Sequence, residues 1–176
     1  MRGTVDRAKL ERFLEELGRR ARGPGRIYLT GGATALLFGW RPMTVDVDLK
    51  LDPEPAGAFE AIAALKEELD VNVELASPDQ FVPPAPGWRE RSPFVARHGP
   101  VDFFHFDPVS QALAKLARGH DRDLADVAAM RAHGLVTPAD LLDALDAIAG
   151  DLMRYPGLDA EAFARRVRAF AETLRD

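Results

Sequence analysis

The stretch between Arg26 and Leu51 constrains the fold more than any other part of the chain. It reads RIYLTGGATALLFGWRPMTVDVDLKL, which is a short apolar strand, a Gly-Gly turn, a compact apolar helix, a loop and a second strand. Successive side chains of a strand point to opposite faces. The second strand therefore presents Asp46 and Asp48 on one face and its aliphatic residues on the other, so two carboxylates project side by side.

This carboxylate pair predicts a divalent cation. Buried like charges at such a separation repel each other unless a cation neutralises them. Oxygen-only ligands suit Mg²⁺ or Mn²⁺ better than zinc. The alternative interpretation of Asp46 and Asp48 is a solvated strand face. A calcium-binding EF-hand loop is unlike this sequence, because Leu51 stands where that loop requires glycine and Gly57 where it requires glutamate.

The turn Gly31-Gly32 predicts a place for phosphates. Glycine lets the backbone turn sharply and lets a ligand approach the amide groups, and a following helix start offers N–H donors. The alternative is an ordinary turn. The segment GGATALLFG has neither the Gly-Lys-Ser/Thr of a P-loop nor the G-x-G-x-x-G of a dinucleotide site.

Length and composition narrow the possible classes of protein. The 176 residues are 47% hydrophobic and 29% charged, which predicts a globular chain long enough to bury a substantial core. The absence of cysteine excludes disulfides, thiolate zinc sites and cysteine nucleophiles. A net charge of −5 speaks against a uniformly basic surface for nucleic acid but leaves room for local basic patches. No leader or long apolar segment is evident, so we expect a cytoplasmic location and no membrane partner.

The whole pattern predicts an α/β (α+β) fold, a mixed β-sheet flanked by helices and followed by a C-terminal helical region. We assign residues 1–106 to the α/β core and residues 107–176 to helices packed on it as a single globular unit. An irregular proline-rich segment from Phe81 to Trp88 is long enough to be a lid or an acceptor-binding edge. The remaining predicted elements are a helix from Asp6 to about Gly23, a helix from Phe59 to Leu69, strands at Val71–Leu75, Ser92–Arg97 and Val101–Phe106, and helices starting at Pro108, near Asp121, at Thr137 and at Asp159.

Asp102 is a candidate third acid. It lies on a predicted strand with Phe104 and Phe106 on its own face, where an unpaired carboxylate is costly to bury, so we expect it to have a partner. One interpretation places Asp102 on a strand next to Asp46 and Asp48 as a metal ligand. The other is a rim aspartate or one paired with an arginine.

Charged residues also recur at helical spacing in the C-terminal half. Lys115 and Arg118 lie one turn apart on one predicted helix, and Asp123 and Asp126 one turn apart on the next. From spacing alone, a surface ion-pair network and a functional cluster are both open.

Arg41 falls just before the acid-bearing strand. There its guanidinium could contact a phosphate oxygen, and it could equally pair with Asp46 or Asp48.

The order of these motifs resembles the nucleotidyltransferase superfamily, in which a Gly-Gly or Gly-Ser turn precedes a paired acid. It is most similar to the AbiEii and MenT-like toxin nucleotidyltransferases and to neighbouring uncharacterised bacterial families. The similarity spans about Arg26 to Val127. The residues that carry it are Gly31, Gly32, Arg41, Thr44, Asp46 and Asp48, together with the segments KLAR at 115–118 and RDLADV at 122–127.

The resemblance implies roles for the remaining candidates. A later strand would supply the third acid, which favours Asp102. Lys115 would be a phosphate or triphosphate contact, Asp126 the functional acid of its pair, and Asp123 a structural residue.

The resemblance also implies an activity. It predicts Mg²⁺-dependent transfer of a nucleoside monophosphate from a nucleoside triphosphate to an acceptor hydroxyl, at the 3′ end of tRNA, as in a toxin with an antitoxin partner. Transfer to a protein or small-molecule hydroxyl is an alternative. A catalytically silent nucleotide-binding or partner-binding module is another.

Overall fold

The computed structural model describes residues 2–175. This part of the chain divides into two compact units. The first unit contains the chain up to Ser77 together with Ser92–His105. The second contains Pro78–Arg91 and the chain from Phe106 onward.

The first unit is built on a five-stranded sheet. Its strands are β1 (Gly25–Thr30), β2 (Asp46–Leu51), β3 (Asn72–Glu74), β4 (Phe94–His98) and β5 (Val101–His105). Their order across the sheet is β3-β2-β1-β5-β4. The pairs β1–β2 and β4–β5 are antiparallel, whereas β1–β5 and β2–β3 are parallel, so the predicted mixed sheet is confirmed.

Three helices belong to the first unit: α1 (Arg7–Arg20), α2 (Gly32–Phe38) and α3 (Ala58–Glu68). Helix α1 begins where predicted because the Asp6 carboxylate accepts a hydrogen bond from the Lys9 N–H at 2.8 Å. It packs against α3, and both contribute to one apolar core. That core includes Leu10, Phe13 and Leu65 from the helices and Ile27, Leu29, Val47, Leu49 and Phe103 from the strands.

The second unit is helical. It contains α4 (Trp88–Arg91), α5 (Pro108–Arg118), α6 (Asp121–Ala132), α7 (Pro138–Ile148), α8 (Ala160–Thr173) and 3-10 helices at Pro78–Gln80 and Ala149–Arg154. Helix α5 packs against α6, α7 and α8. Its start is fixed by the buried Asp107, which accepts hydrogen bonds from the N–H groups of Val109 and Ser110 and pairs with Arg91 at 2.7 Å. The four predicted helix starts after residue 107 agree with the structure, and so does the predicted α/β (α+β) class. Among residues 2–175, no helix combines the length and the apolar composition needed to cross a membrane.

Candidate active site

The glycine turn after β1 lies directly against an acid of β2. Gly31 has φ +59°, a conformation that residues with a side chain rarely adopt. A Cβ atom built on Gly31 would lie 2.9 Å from Oδ2 of Asp48. The register agrees, since Asp48 pairs with Thr30, the last residue of β1. The structure thus brings the predicted phosphate turn and one acid of the predicted pair into contact.

Gly32 has a different role. A Cβ atom on this buried residue would lie 2.0 Å from Oγ1 of Thr44, which no small adjustment could relieve. The Thr44 hydroxyl donates to the backbone oxygen of Asp46 at 3.0 Å, and the Thr44 backbone bridges to Val5. Because Gly32 has no side chain, Thr44 can pack against it. Thr44 lies just before the acid-bearing strand β2, so this contact helps to fix where that strand begins.

Asp46 and Asp48 lie on one face of β2, as the alternation predicts, and both are half-buried. The neighbouring parallel strand β3 places Asn72 opposite Asp46 and Glu74 opposite Asp48. The Asn72 amide donates to Oδ1 of Asp46 and lies 3.4 Å from Oε1 of Glu74. Three carboxylates and one amide consequently occupy adjacent positions on one face of two strands.

Glu74 is the acid beside this pair that the sequence analysis missed. Its strand shows a clear alternation, in which Asn72 and Glu74 share a face opposite to Val73. A strand, a helix and a second strand in succession favour a parallel pair of neighbouring strands. Together these two signals place Glu74 beside the Asp46–Asp48 strand.

Asp102 does not lie beside this acid pair, and its expected position next to β2 is wrong. Strand β5 pairs with β1 and β4, and Asp102 pairs with Arg26 at the start of β1. Asp48 pairs with Thr30, four residues further along β1, which is about 13 Å along the strand. The Asp102 carboxylate instead lies 3.5 Å from the guanidinium of Arg97 on the antiparallel strand β4.

The predicted residues Lys115 and Asp126 lie together in the second unit. Nζ of Lys115 is 2.8 Å from Oδ2 of Asp126 and 3.9 Å from Oδ1 of Asp123, whose carboxylate also accepts from Arg118 at 2.6 Å. Lys115, Asp123 and Asp126 are buried, so this is not the exposed network that spacing alone allowed. Arg41 lies in the loop that joins α2 to β2 and is half-buried.

His105 lies on the opposite face of the sheet from the acids. It is 5% exposed, and its Nδ1 is 3.0 Å from the hydroxyl of Thr34. Burial lowers the pKa of His105 to about 4. The imidazole is therefore neutral at physiological pH and serves the core of the first unit.

The acid face fits an open magnesium site rather than a closed one. Within residues 2–175, no group of three or more histidines and carboxylates is arranged to hold a metal ion by itself. Mg²⁺ in nucleotide-processing sites is typically bound by one or two carboxylates, with phosphate oxygens and water completing the octahedron. Asp46 and Asp48 supply that number of ligands next to the glycine turn, so the donor set suits a metal that arrives with a triphosphate.

A mixed sheet with an acid pair on one strand and a glycine turn against it defines a nucleotidyltransferase-like α/β protein. Comparison with protein families agrees. Residues 8–174 match a family described as "Nucleotidyltransferase of unknown function (DUF6036)", and because the match covers nearly the whole chain, the chain belongs to this family. No curated protein and no solved structure gave a significant match. The predicted superfamily is thereby supported, whereas the narrower likeness to AbiEii and MenT-like toxins stays a prediction.

Proposed function

We propose that the protein transfers a nucleoside monophosphate from a nucleoside triphosphate to an acceptor hydroxyl. One observation carries this proposal: the Asp48 carboxylate lies against the Gly31 backbone, with Asp46 next to it on the same strand face. The site thus combines a backbone surface that phosphates can approach closely with ligands for their counter-ion. The family description supports the same class of reaction.

Asp46 and Asp48 would hold Mg²⁺, and Glu74, opposite Asp48 on β3, would add negative charge beside them where Asp102 does not. When bound, Mg²⁺ neutralises the triphosphate, activates the acceptor hydroxyl and stabilises the departing pyrophosphate. The residues of the chain position the reactants. The Gly31-Gly32 turn would orient the β and γ phosphates so that the acceptor oxygen faces the α-phosphorus in line with the leaving group. The new bond joins the acceptor oxygen to the α-phosphorus, the bond to the bridging oxygen breaks, pyrophosphate leaves, and the hydroxyl proton is lost to water.

For the acceptor we favour RNA, with the 3′ end of tRNA as the specific proposal and a toxin role with an antitoxin partner. The order of motifs from Gly31 to Asp126 supports this choice through its likeness to toxin nucleotidyltransferases. Arg41 would contact the triphosphate. The resemblance gives Lys115 the same role and makes Asp126 the functional acid of its pair, but their buried ion pair at 2.8 Å favours a role in stabilising the second unit. Protein and small-molecule hydroxyls are the competing acceptors.

The test is a label-transfer experiment. The protein and its Asp48→Asn variant are incubated with Mg²⁺ and each α-labelled nucleoside triphosphate, in the presence of total RNA, cell lysate protein or lysate metabolites. We expect label on RNA with the wild-type protein, and a loss of about 1,000-fold or more in the variant. The kind of molecule that carries the label identifies the acceptor.

A catalytically silent nucleotide-binding module gives a different result in the same experiment. It would bind the triphosphate, detected by thermal stabilisation, without labelling any acceptor. Asp102→Asn is the matched control for Asp48→Asn, because it removes the same charge from another strand of the same sheet. If Asp102→Asn abolished transfer and Asp48→Asn did not, the acid set proposed above would be wrong.

A further inference from the structure

The second unit contains a cavity of about 340 Å³ that the proposed chemistry does not use. Three segments form its walls: Gln80 and Phe81 after the first 3-10 helix, Ala117 and Arg118 at the end of α5, and residues 154–158 after the second 3-10 helix. Its volume lies at the small end of the range of about 300–1,000 Å³ for small-molecule pockets. The cavity is therefore large enough for one small ligand.

The lining combines an aromatic ring with arginines. Phe81 is 39% exposed although it is a large apolar residue, and the guanidinium carbon of Arg118 lies 5.5 Å from the centre of its ring. Arg154, whose side chain is 77% exposed, lines the same cavity. Among the described residues that line it, none is acidic. Aromatic rings and guanidinium planes are the surfaces on which unpaired nucleobases stack, and arginine also binds phosphate.

Two contacts hold the walls in place. The Tyr155 hydroxyl donates to the backbone oxygen of Asp79 at 2.7 Å, which ties the segment carrying Arg154 to the segment carrying Phe81. Arg118 is held by Asp123, which is itself buried. Because Arg118 is anchored within the second unit, its guanidinium and the ring of Phe81 are held side by side, which lowers the entropic cost of binding. Arg154 contacts Asp151 at 3.5 Å and keeps an exposed side chain that a phosphate can reach.

We propose that this cavity binds one nucleotide of a single-stranded RNA, with the base stacked against Phe81 and Arg118 and the phosphate on Arg154. Duplex RNA does not fit, because its bases are stacked inside the helix and its recognition needs a broad basic surface, which a net charge of −5 disfavours. A free nucleotide offers the same chemistry as one nucleotide of a strand. The cavity would bind the strand whether or not the protein is a nucleotidyltransferase. Only the further step, that the bound strand is the acceptor, rests on the function proposed above.

The experiment measures binding without catalysis. Fluorescence anisotropy of a short labelled single-stranded RNA is recorded with the Asp48→Asn protein in the absence of divalent metal, so that a failure of nucleotidyl transfer has no influence on the result. AMP and the duplex of the same sequence serve as competitors. We expect the unlabelled single strand to compete well, AMP to compete weakly and the duplex not to compete.

Two variants test the location. Phe81→Ala should weaken binding by about 5- to 100-fold, the effect of losing one base–aromatic stack. Arg154→Ala should reduce the slope of log K against log salt by about 0.7, the contribution of one phosphate contact on a single strand. The matched controls are Phe59→Ala, which removes a phenylalanine that is 45% exposed in α3, and Arg19→Ala, which removes an arginine whose side chain is 71% exposed in α1.

Each outcome decides the proposal. Absence of RNA binding, or equal binding by the Phe81→Ala and Phe59→Ala proteins, would overturn it. Displacement of the labelled strand by AMP at the same concentration as by the unlabelled strand would retain a nucleotide pocket and overturn the assignment to RNA. Weaker RNA binding by the Phe81→Ala and Arg154→Ala proteins, with unchanged binding by the Phe59→Ala and Arg19→Ala controls, would support the proposal. This holds even if no acceptor were labelled in the transfer experiment.

Discussion

In the second unit, Asp123 and Asp126 are buried and protein cations neutralise them, with Arg118 at 2.6 Å from the first and Lys115 at 2.8 Å from the second. In the first unit, Asp46 is half-buried and accepts from the neutral amide of Asn72. Within residues 2–175, Asp46 has no ion-pair partner.

This difference separates carboxylates that are neutralised inside the fold from Asp46, which is not neutralised by a protein cation. A buried carboxylate without a cation is strongly destabilising, so the second unit must supply its own positive charges. In the first unit, Asp46 lies half-buried on the sheet, where the neutral amide of Asn72 orients it. The buried histidine of this unit, His105, is a neutral imidazole.

The largest loss of unfolding free energy is expected for Lys115→Met. It leaves Asp126 buried without its closest cation, and breaking such a pair costs about 3–5 kcal/mol in unfolding free energy. Urea unfolding measures this cost. The double variant Lys115→Met/Asp126→Leu should recover most of it, because an apolar pair of similar volume replaces the ion pair. If the single variant were as stable as the wild type yet inactive in transfer, Lys115 would be a ligand residue and the contrast between the units would fail.

The sequence predicted the helices and strands but not which strands lie next to each other in the sheet. Helix caps such as Asp6 and Asp107 and the alternation of β2 are local patterns, so the helices, the strands and the shared face of Asp46 and Asp48 could be predicted. Asp102 was misplaced because strand order is not local. Strand β5 pairs in parallel with β1, which places Asp102 opposite Arg26, four residues along β1 from the partner of Asp48. The alternation of residues in a strand does not predict this pairing. Similarly, helical spacing could bring Lys115 and Asp126 together but could not show that they are buried.

The second prediction concerns pH. His105 has a folded-state pKa of about 4, below its ordinary value of 6.5, so between these values the unfolded chain binds the proton more tightly. Stability is therefore fully present above pH 6.5 and falls by about 3 kcal/mol as the pH drops to 4. Urea unfolding at several pH values should show that the unfolding free energy of the wild type falls with pH in this way. In His105→Gln the part of this fall that comes from His105 should be absent. Parallel profiles for the two proteins would mean that the first unit tolerates a charge at this position.

A third prediction, with a smaller expected change in stability, compares Gly31→Ala with Gly39→Ala. The comparison distinguishes the backbone strain at Gly31 from its contact with Asp48. Gly31→Ala and Gly39→Ala both place a side chain at positive φ. Gly39 lies in the left-handed helical region, where alanine costs about 1–2 kcal/mol of unfolding free energy, and Gly31, at φ +59° and ψ −125°, lies outside that region, so Gly31→Ala should cost at least as much. Their surroundings differ, because a Cβ on Gly39 meets nothing within 4 Å, whereas one on Gly31 meets Oδ2 of Asp48 at 2.9 Å. Only Gly31→Ala should displace the carboxylate and reduce nucleotide transfer, on the order of 100-fold. Equal activity of the two variants would remove the turn from the site.

The smallest change in stability, below about 0.5 kcal/mol, is expected for Glu74→Gln, since Glu74 is exposed at the edge strand β3 and its shape is kept. Its effect should appear instead in the dependence on metal. Losing one carboxylate opposite Asp48 weakens the attraction for a divalent cation, so the Mg²⁺ concentration that gives half-maximal transfer should rise while the protein unfolds at the same urea concentration. Glu67→Gln, which removes an exposed glutamate that pairs with Arg2, is the control and should leave the metal dependence unchanged. A rise of the same size in both variants would indicate a general effect of surface charge and would return the position of third acid to an open question.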